Sequence, residues 1–350
     1  MLRSLYAGIS GMKVNQQKLD VIANNIANVG TTAFKSSRVR FQDMVSQSIS
    51  ESSSSSTNTG GVNGRQIGLG VQMAGIDTMV GQGMMQPTSR NLDVAVDGEG
   101  YLMVAKGAVP KTNADGTTGM SLSYTRDGAL TLDDKGNLLN SDGLRVLGYA
   151  VSSTTPASTS LTYAASKPTS AYVDGNGTYA AGTDLVPLVI PESIPVPATA
   201  AIPAVLATAT TVAVAAVPAV AAHISKITTF SIEKDGQIKA VLEDGKVAVL
   251  GQIAMASFKN PAGLEKAGGN LLNVTSNSGA AVIRSGVGTA AANDNSGSYG
   301  SMLGGMLEMS NVDLAEQFTD MIVASRAFQA MGKTITTGDE ILQDIIGLKR

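Results

Sequence analysis

All eleven prolines of this 350-residue chain lie between Pro87 and Pro261. Proline removes a backbone donor and clashes with the preceding helical turn, so long helices are confined to the two proline-free ends. At the N-terminus Leu5, Ile9, Met12, Gln16, Leu19, Ala23 and Ile26 recur at alternating steps of four and three, a heptad stripe. The spacing predicts a helix over about residues 2–28, with Gly30 as its C-cap. At the C-terminus Leu314, Phe318, Met321, Ser325, Phe328, Gly332 and Ile335 repeat the pattern, and Asp339, Leu342 and Ile346 continue it. Ser310 or Asn311 is expected as the N-cap there, with Asp313 and Glu316 in the positive first turn. Gly332, Gly338 and the β-branched run Thr334–Thr337 predict a kink. Any amphipathic helix carries one such stripe. Two that match at opposite ends of a chain favour pairing with each other or with neighbouring copies.

Between the ends the pattern changes to β. Apolar runs flank Asp97-Gly98-Glu99-Gly100, Asp133-Asp134-Lys135-Gly136-Asn137, Asp235-Gly236 and Asp244-Gly245. Glycine accepts the positive φ of tight turns, so these read as hairpins. Residues 46–66, centred on Ser52–Ser56, read as a flexible connector, and residues 151–225, rich in Ala, Thr, Val and Pro, look inserted. The fold expected is α+β and multidomain. Terminal helices at 1–30 and 310–350 pair as a coiled-coil core. A connector follows at 31–70, a β domain is built from 71–150 and 226–309, and 151–225 forms an outer β insert or linker. The one uncharged stretch long enough for a membrane, Ala201–Ala222, is mostly alanine and is broken by Pro203 and Pro218, so no membrane span is expected.

Several chemistries are excluded at this level. Without cysteine there is no disulfide framework, thiolate metal site or cysteine nucleophile. The lone histidine, His223, has no acidic neighbour close in sequence and reads as a surface or linker residue. A net charge of −3 gives no case for nucleic acid. Met331-Gly332-Lys333-Thr334 lacks the earlier glycine of a phosphate loop, since Ala327 stands there. Gly68-x-Gly70 has Met73 where a dinucleotide fingerprint needs its third glycine. Asp133–Asn137 lacks the alternating ligands and terminal Glu of a calcium loop. No catalytic, cofactor-binding or metal site is expected, and the chain reads as a structural protein rather than an enzyme.

Asn24–Lys35 reads NNIANVGTTAFK, preceded by Leu19-Asp20-Val21-Ile22-Ala23. This strongly resembles the N-terminal motif of the bacterial flagellar rod and hook proteins, with Ala33 where that family usually carries glycine. The resemblance continues at Leu92-Asp93 to Gly100-Tyr101, Tyr124–Gly128, Phe258–Leu264 and Leu307–Glu316. It implies that Asn24, Asn25, Asn28, Phe34, Lys35, Ser310, Asn311, Val312 and Asp313 carry the family motif. It also implies that Leu5, Ile9, Met12, Leu19 and Ile26, with Leu314, Phe318, Met321, Phe328, Ile335, Leu342 and Ile346, form the polymerisation seam of a hollow helical tube. Within the family the run Ser310–Leu314 before a long helix is similar to the hook subunit, with the distal rod subunit as the alternative. The partners implied are further copies of the chain, the other flagellar axial proteins (distal rod, hook cap, hook–filament junction) and the flagellar export apparatus. Export without a cleaved signal peptide to the flagellum outside the cell follows from the same resemblance, and no cofactor does. The terminal segments are expected to order only on assembly, because a lone helix pair buries little against its ordering entropy.

Overall fold

The computed structural model describes residues 2–54, 60–107, 120–154, 157–164, 167–198, 221–284 and 300–348. Most of the Ala201–Ala222 tract lies outside the described residues, and no helix among those described is long and apolar enough to cross a membrane. The chain forms two compact units, Met1–Gly83 with Met309–Arg350, and Met84–Glu308.

In the first unit, helix α1 runs over Leu2–Ala27 and helix α2 over Leu314–Gly347. They pack antiparallel, as the ladder of approaches Leu5–Gly338, Gly8–Ile335 and Gly11–Met331 shows. Helix α2 is continuous through Gly332 and Gly338. Its N-cap is Asp313 rather than Ser310 or Asn311. The Asp313 carboxylate accepts from the Ala315 and Glu316 amides at 2.8 and 3.3 Å and satisfies two donors that lack intrahelical partners. Helix α1 ends earlier than Gly30, in a turn where the Asn28 amide reaches the Asn24 and Asn25 carbonyls. The left-handed residue of the following segment is Ala33, at φ 56°.

The stretch read as a connector holds regular strands. Ser37–Asp43 pairs antiparallel with Val71–Thr78, and Ser46–Ser50 with Arg65–Gly68. Val71–Thr78, expected in the β domain, therefore belongs to the helical unit. A serine-rich composition hid the alternation of these short ribbons. Asn25 and Ser10 of α1 bond to Ser37 and Val71 of the first pair.

The second unit is an antiparallel assembly around the long strand Arg145–Thr154, which pairs with Tyr101–Gly107, Val247–Ile253 and Tyr179–Pro187. Tyr101–Ala105 of strand Tyr101–Gly107 are buried on both faces, which is why they read as an unbroken apolar run. Leu102 and Val104 enter one core with Leu138, Val146, Ile238 and Ile253. Tyr101, Met103 and Ala105 enter another with Tyr124 and Phe258. The rings of Tyr101 and Tyr124 meet Phe258 edge to face, at 5.7 and 4.9 Å. The hairpin glycines Gly136, Gly236 and Gly245 take positive φ, as the turns require, but Asp97–Gly100 is not the expected hairpin: Val94–Asp97 pairs with Ser301–Gly304, and Tyr101–Gly107 pairs with Met120–Thr125. Residues 151–198 do not form a separate outer body. Tyr179–Pro187 and Ser193–Val196 join the main sheet, and Leu188, Val189, Ile190 and Ile194 enter its core. Their aliphatic side chains outweigh the Ala/Thr/Pro composition that suggested an insert.

Candidate polymerisation surfaces

The face by which α1 meets α2 includes Leu5 and Ile335 of the expected stripe, and small residues set how closely it closes. Gly8 and Gly11 lie buried in it, and a Cβ on either would stand 3.2 Å from Ile335 or Met331. On α2, Gly338 receives Leu5, and Ala324 is the fully buried side chain. Val14, Ile22 and Asn25 complete the buried side of α1. Small residues let the two backbones approach, and a hydrophobicity pattern gives glycine no weight. The expected residues therefore divide. Leu5, Met12, Leu19 and Ile26, with Met321, Phe328, Ile335 and Leu342, are half-buried. Ile9, Leu314, Phe318 and Ile346 are exposed, Phe318 by 50% and Ile346 by 68%. Ile322, Val323, Ile341 and Ile345 of α2 are exposed as well.

The motif residues act as fasteners within this unit. Asn25 is buried and mimics a backbone partner: its Nδ2 donates to the Ser37 carbonyl at 2.8 Å while its Oδ1 accepts from the Ser37 amide at 3.0 Å. The same Nδ2 lies 3.0 Å from Gln317 Oε1, so one side chain joins α1, the ribbon and α2. Asn311 does the equivalent work before α2. It accepts from the Ser36 amide at 2.8 Å and donates to the Met79 and Gly81 carbonyls at 2.7 and 3.1 Å. Buried Lys35 donates to the Gly81 carbonyl at 2.8 Å. Asn28 bonds Asn24, and Ser310 accepts from the Val312 amide. Phe34 is half-buried, and its carbonyl accepts from the Asn311 amide. Sequence reasoning missed the partners Gln317 and Ser37, and the ion pair Lys18–Asp320 at 3.2 Å, because each is far away in sequence.

In the second unit two motif segments meet through a buried ion pair. Arg126 Nε donates to Glu308 Oε2 at 2.8 Å, with side-chain exposures of 6% and 0%. The guanidinium also donates to the Val96 and Gly98 carbonyls at 2.9 and 2.8 Å and lies over the Tyr101 ring. A lone acid between Leu307 and Met309 was the available signal. Asp133 closes its turn by accepting from the Lys135 and Asn137 amides and the Asn137 side chain. Partial burial pushes its carboxyl up, but these hydrogen bonds outweigh that and hold it below the ordinary value. His223, read as a surface or linker residue with no acidic neighbour close in sequence, meets one from a neighbouring turn. Its Nε2 bonds the Asp244 carboxylate across the sheet, which raises the imidazole pKa, and the same bond lowers that of Asp244. Burial pushes the Tyr163 hydroxyl to about 12, where it donates to the Pro187 carbonyl. No group of three or more His, Asp or Glu residues suited to a metal occurs among the described residues.

The helical unit thus combines paired terminal helices, glycine at their contact, exposed apolar side chains and polar fasteners. Comparison with known proteins gives the family. The description "Flagella basal body rod protein" matches residues 5–35, "Flagellar hook protein FlgE/F/G D1 domain" matches 95–240, and "Flagellar basal body rod FlgEFG protein C-terminal" matches 303–348. The flagellar basal-body rod protein FlgG of Bacillus subtilis is 40% identical over 350 residues, covering the whole of both chains. In Borreliella burgdorferi, the hook protein FlgE is 30% identical over 461 aligned residues and the rod protein FlgG 30% over 351, each covering the whole of both chains. The chain belongs to the flagellar rod and hook protein family, a family of structural proteins.

Proposed function

We propose that the chain polymerises with copies of itself into the hook, a hollow tube that joins rod to filament, bends while transmitting torque and passes exported subunits. The observation that carries the polymer is the outward side of α2, where Phe318 and Ile322 stand in solvent on the side away from the α1 contact, exposed by 50% and 61%. A contiguous apolar surface on an otherwise polar helix marks a protein contact. Identical subunits that extend without limit must join through two different surfaces. The half-buried residues Leu5, Met12, Leu19, Ile26, Met321, Phe328, Ile335 and Leu342 then support the pair, while Ile9, Leu314, Phe318 and Ile346 meet neighbours. Rod, cap and junction proteins would share such contacts at the tube's ends, and the export apparatus would deliver the chain to the growing tip outside the cell.

The hook reading is supported by the Ser310–Leu314 run before the long helix. The distal rod reading is supported by relatives named FlgG that align over 350 and 351 residues, close to this chain's own length. Similarity weighs equally on the two. Electron micrographs of basal bodies from cells lacking the gene separate them: loss of the curved hook beyond a complete rod supports the hook, and a truncated rod supports the distal rod. Failure of the purified chain to form tubes when concentrated in high salt would count against both.

A further inference from the structure

We propose that the C-terminal tip of α2 in one copy seats in an apolar cavity on α1 of a neighbouring copy. This rests on the polymer reading above and names one of its contacts. The cavity holds about 400 Å³ and is lined by Tyr6, Ile9 and Ser10 of α1 with Met44 and Leu69 of the ribbons. An apolar cavity of about 150 Å³ already accepts a benzene ring, so this one has room for more than one aliphatic side chain. Its wall is held in place. Ser10 Oγ accepts from the Val71 amide at 3.4 Å, and Gly70, at φ 134°, packs so closely on Ser10 that a Cβ there would collide with the hydroxyl. Tyr6, Ile9 and Met44 remain exposed around the opening.

The occupant follows from the helix register. Leu5 against Gly338 sets the start of α1 about level with Ile341, so Leu342 to Leu348 run past it by roughly 10 Å at 1.5 Å per residue. Ile345, Ile346 and Leu348 are exposed on that overhang, Leu348 by 86%. In its own chain the tip runs away from the cavity, which lies about one to two turns inside α1. Tip and cavity therefore fit between copies, as a heterologous contact that propagates. Charge agrees with this. Lys13, one turn beyond Ile9 on the cavity face, is exposed and has no ion pair among the described residues, while Glu340 and Asp344 are exposed beside the tip's isoleucines.

The absence of native cysteine allows a direct test. Ile9→Cys and Ile346→Cys proteins are mixed in equal amounts, concentrated into tubes, oxidised and run without reductant. Disulfide dimers that appear only in the mixture, and only after assembly, are the expected result. Tubes whose mixture gives no dimer, or dimers formed by either protein alone and not enhanced by mixing, overturn the docking and leave the polymer reading standing. A charge exchange covers the case in which a cysteine disturbs assembly. Lys13→Glu should raise the concentration needed for tubes severalfold, and Lys13→Glu with Asp344→Lys should bring it back. No recovery in the double variant overturns the contact. If the unsubstituted chain forms no tubes, the polymer reading falls and the docking with it.

Discussion

Replacing Glu308 with alanine leaves Arg126 as a buried cation without its counter-ion. Removing one member of a buried pair costs about 3–5 kcal/mol. The Val96 and Gly98 carbonyls remain in place at 2.9 and 2.8 Å and continue to accept from the guanidinium, so the low end applies, about 3 kcal/mol. For a unit of this size 1 kcal/mol moves the midpoint by about 2–4 °C, which gives a fall of about 6–12 °C in the thermal unfolding of the β unit. The assay is calorimetry or circular dichroism on the full chain, following the β-sheet transition. Because desolvating both ions offsets much of their attraction, Arg126→Met with Glu308→Leu should recover most of the loss. A single variant that unfolds within about 2 °C of the unsubstituted chain would refute the reasoning. So would a double variant worse than Glu308→Ala.

Three further outcomes follow from particular residues. Ala33 holds a left-handed backbone that costs a non-glycine residue about 1–2 kcal/mol, so Ala33→Gly should stabilise the helical unit by roughly 1 kcal/mol after the entropy of a freer unfolded chain, measured by urea unfolding of assembled protein. The His223–Asp244 bond raises the histidine pKa above 6.5, so its contribution is full below that value and is lost as pH rises through the raised value. Asp244, held below 3.8, loses its share only as pH falls through its own lowered value. An NMR titration of His223 should place its midpoint above 6.5, and Asp244→Asn should lower it; no change on that substitution would sink the assignment. In dilute monomer the amides of residues 1–30 and 310–348 should exchange far faster than those of Tyr101–Gly107, and equal protection would contradict ordering on assembly.

What could be read along the chain was local. Proline placement separates helical ends from a β middle, and each Asp-Gly turn needs only its own residues to bend, so helix and most hairpin positions were legible. The apolar run Tyr101–Val104 was visible, and its burial on both faces was decided by the sheets that cover it. The capping residue was less legible, since Ser310, Asn311 and Asp313 all suit the role until the backbone shows that Asp313 stands at the boundary and Asn311 is engaged elsewhere. How closely the helices pair was decided by packing. A heptad count follows greasy side chains, whereas Gly8, Gly11 and Gly338 set the approach by having none, and Ile9, Phe318 and Ile346 of the stripe are left exposed. Asn25 with Gln317, Arg126 with Glu308 and His223 with Asp244 lie 292, 182 and 21 residues apart. Hydrogen bonds and ion pairs act over a few ångströms, so only the tertiary fold, which closes those loops, could determine which polar groups meet.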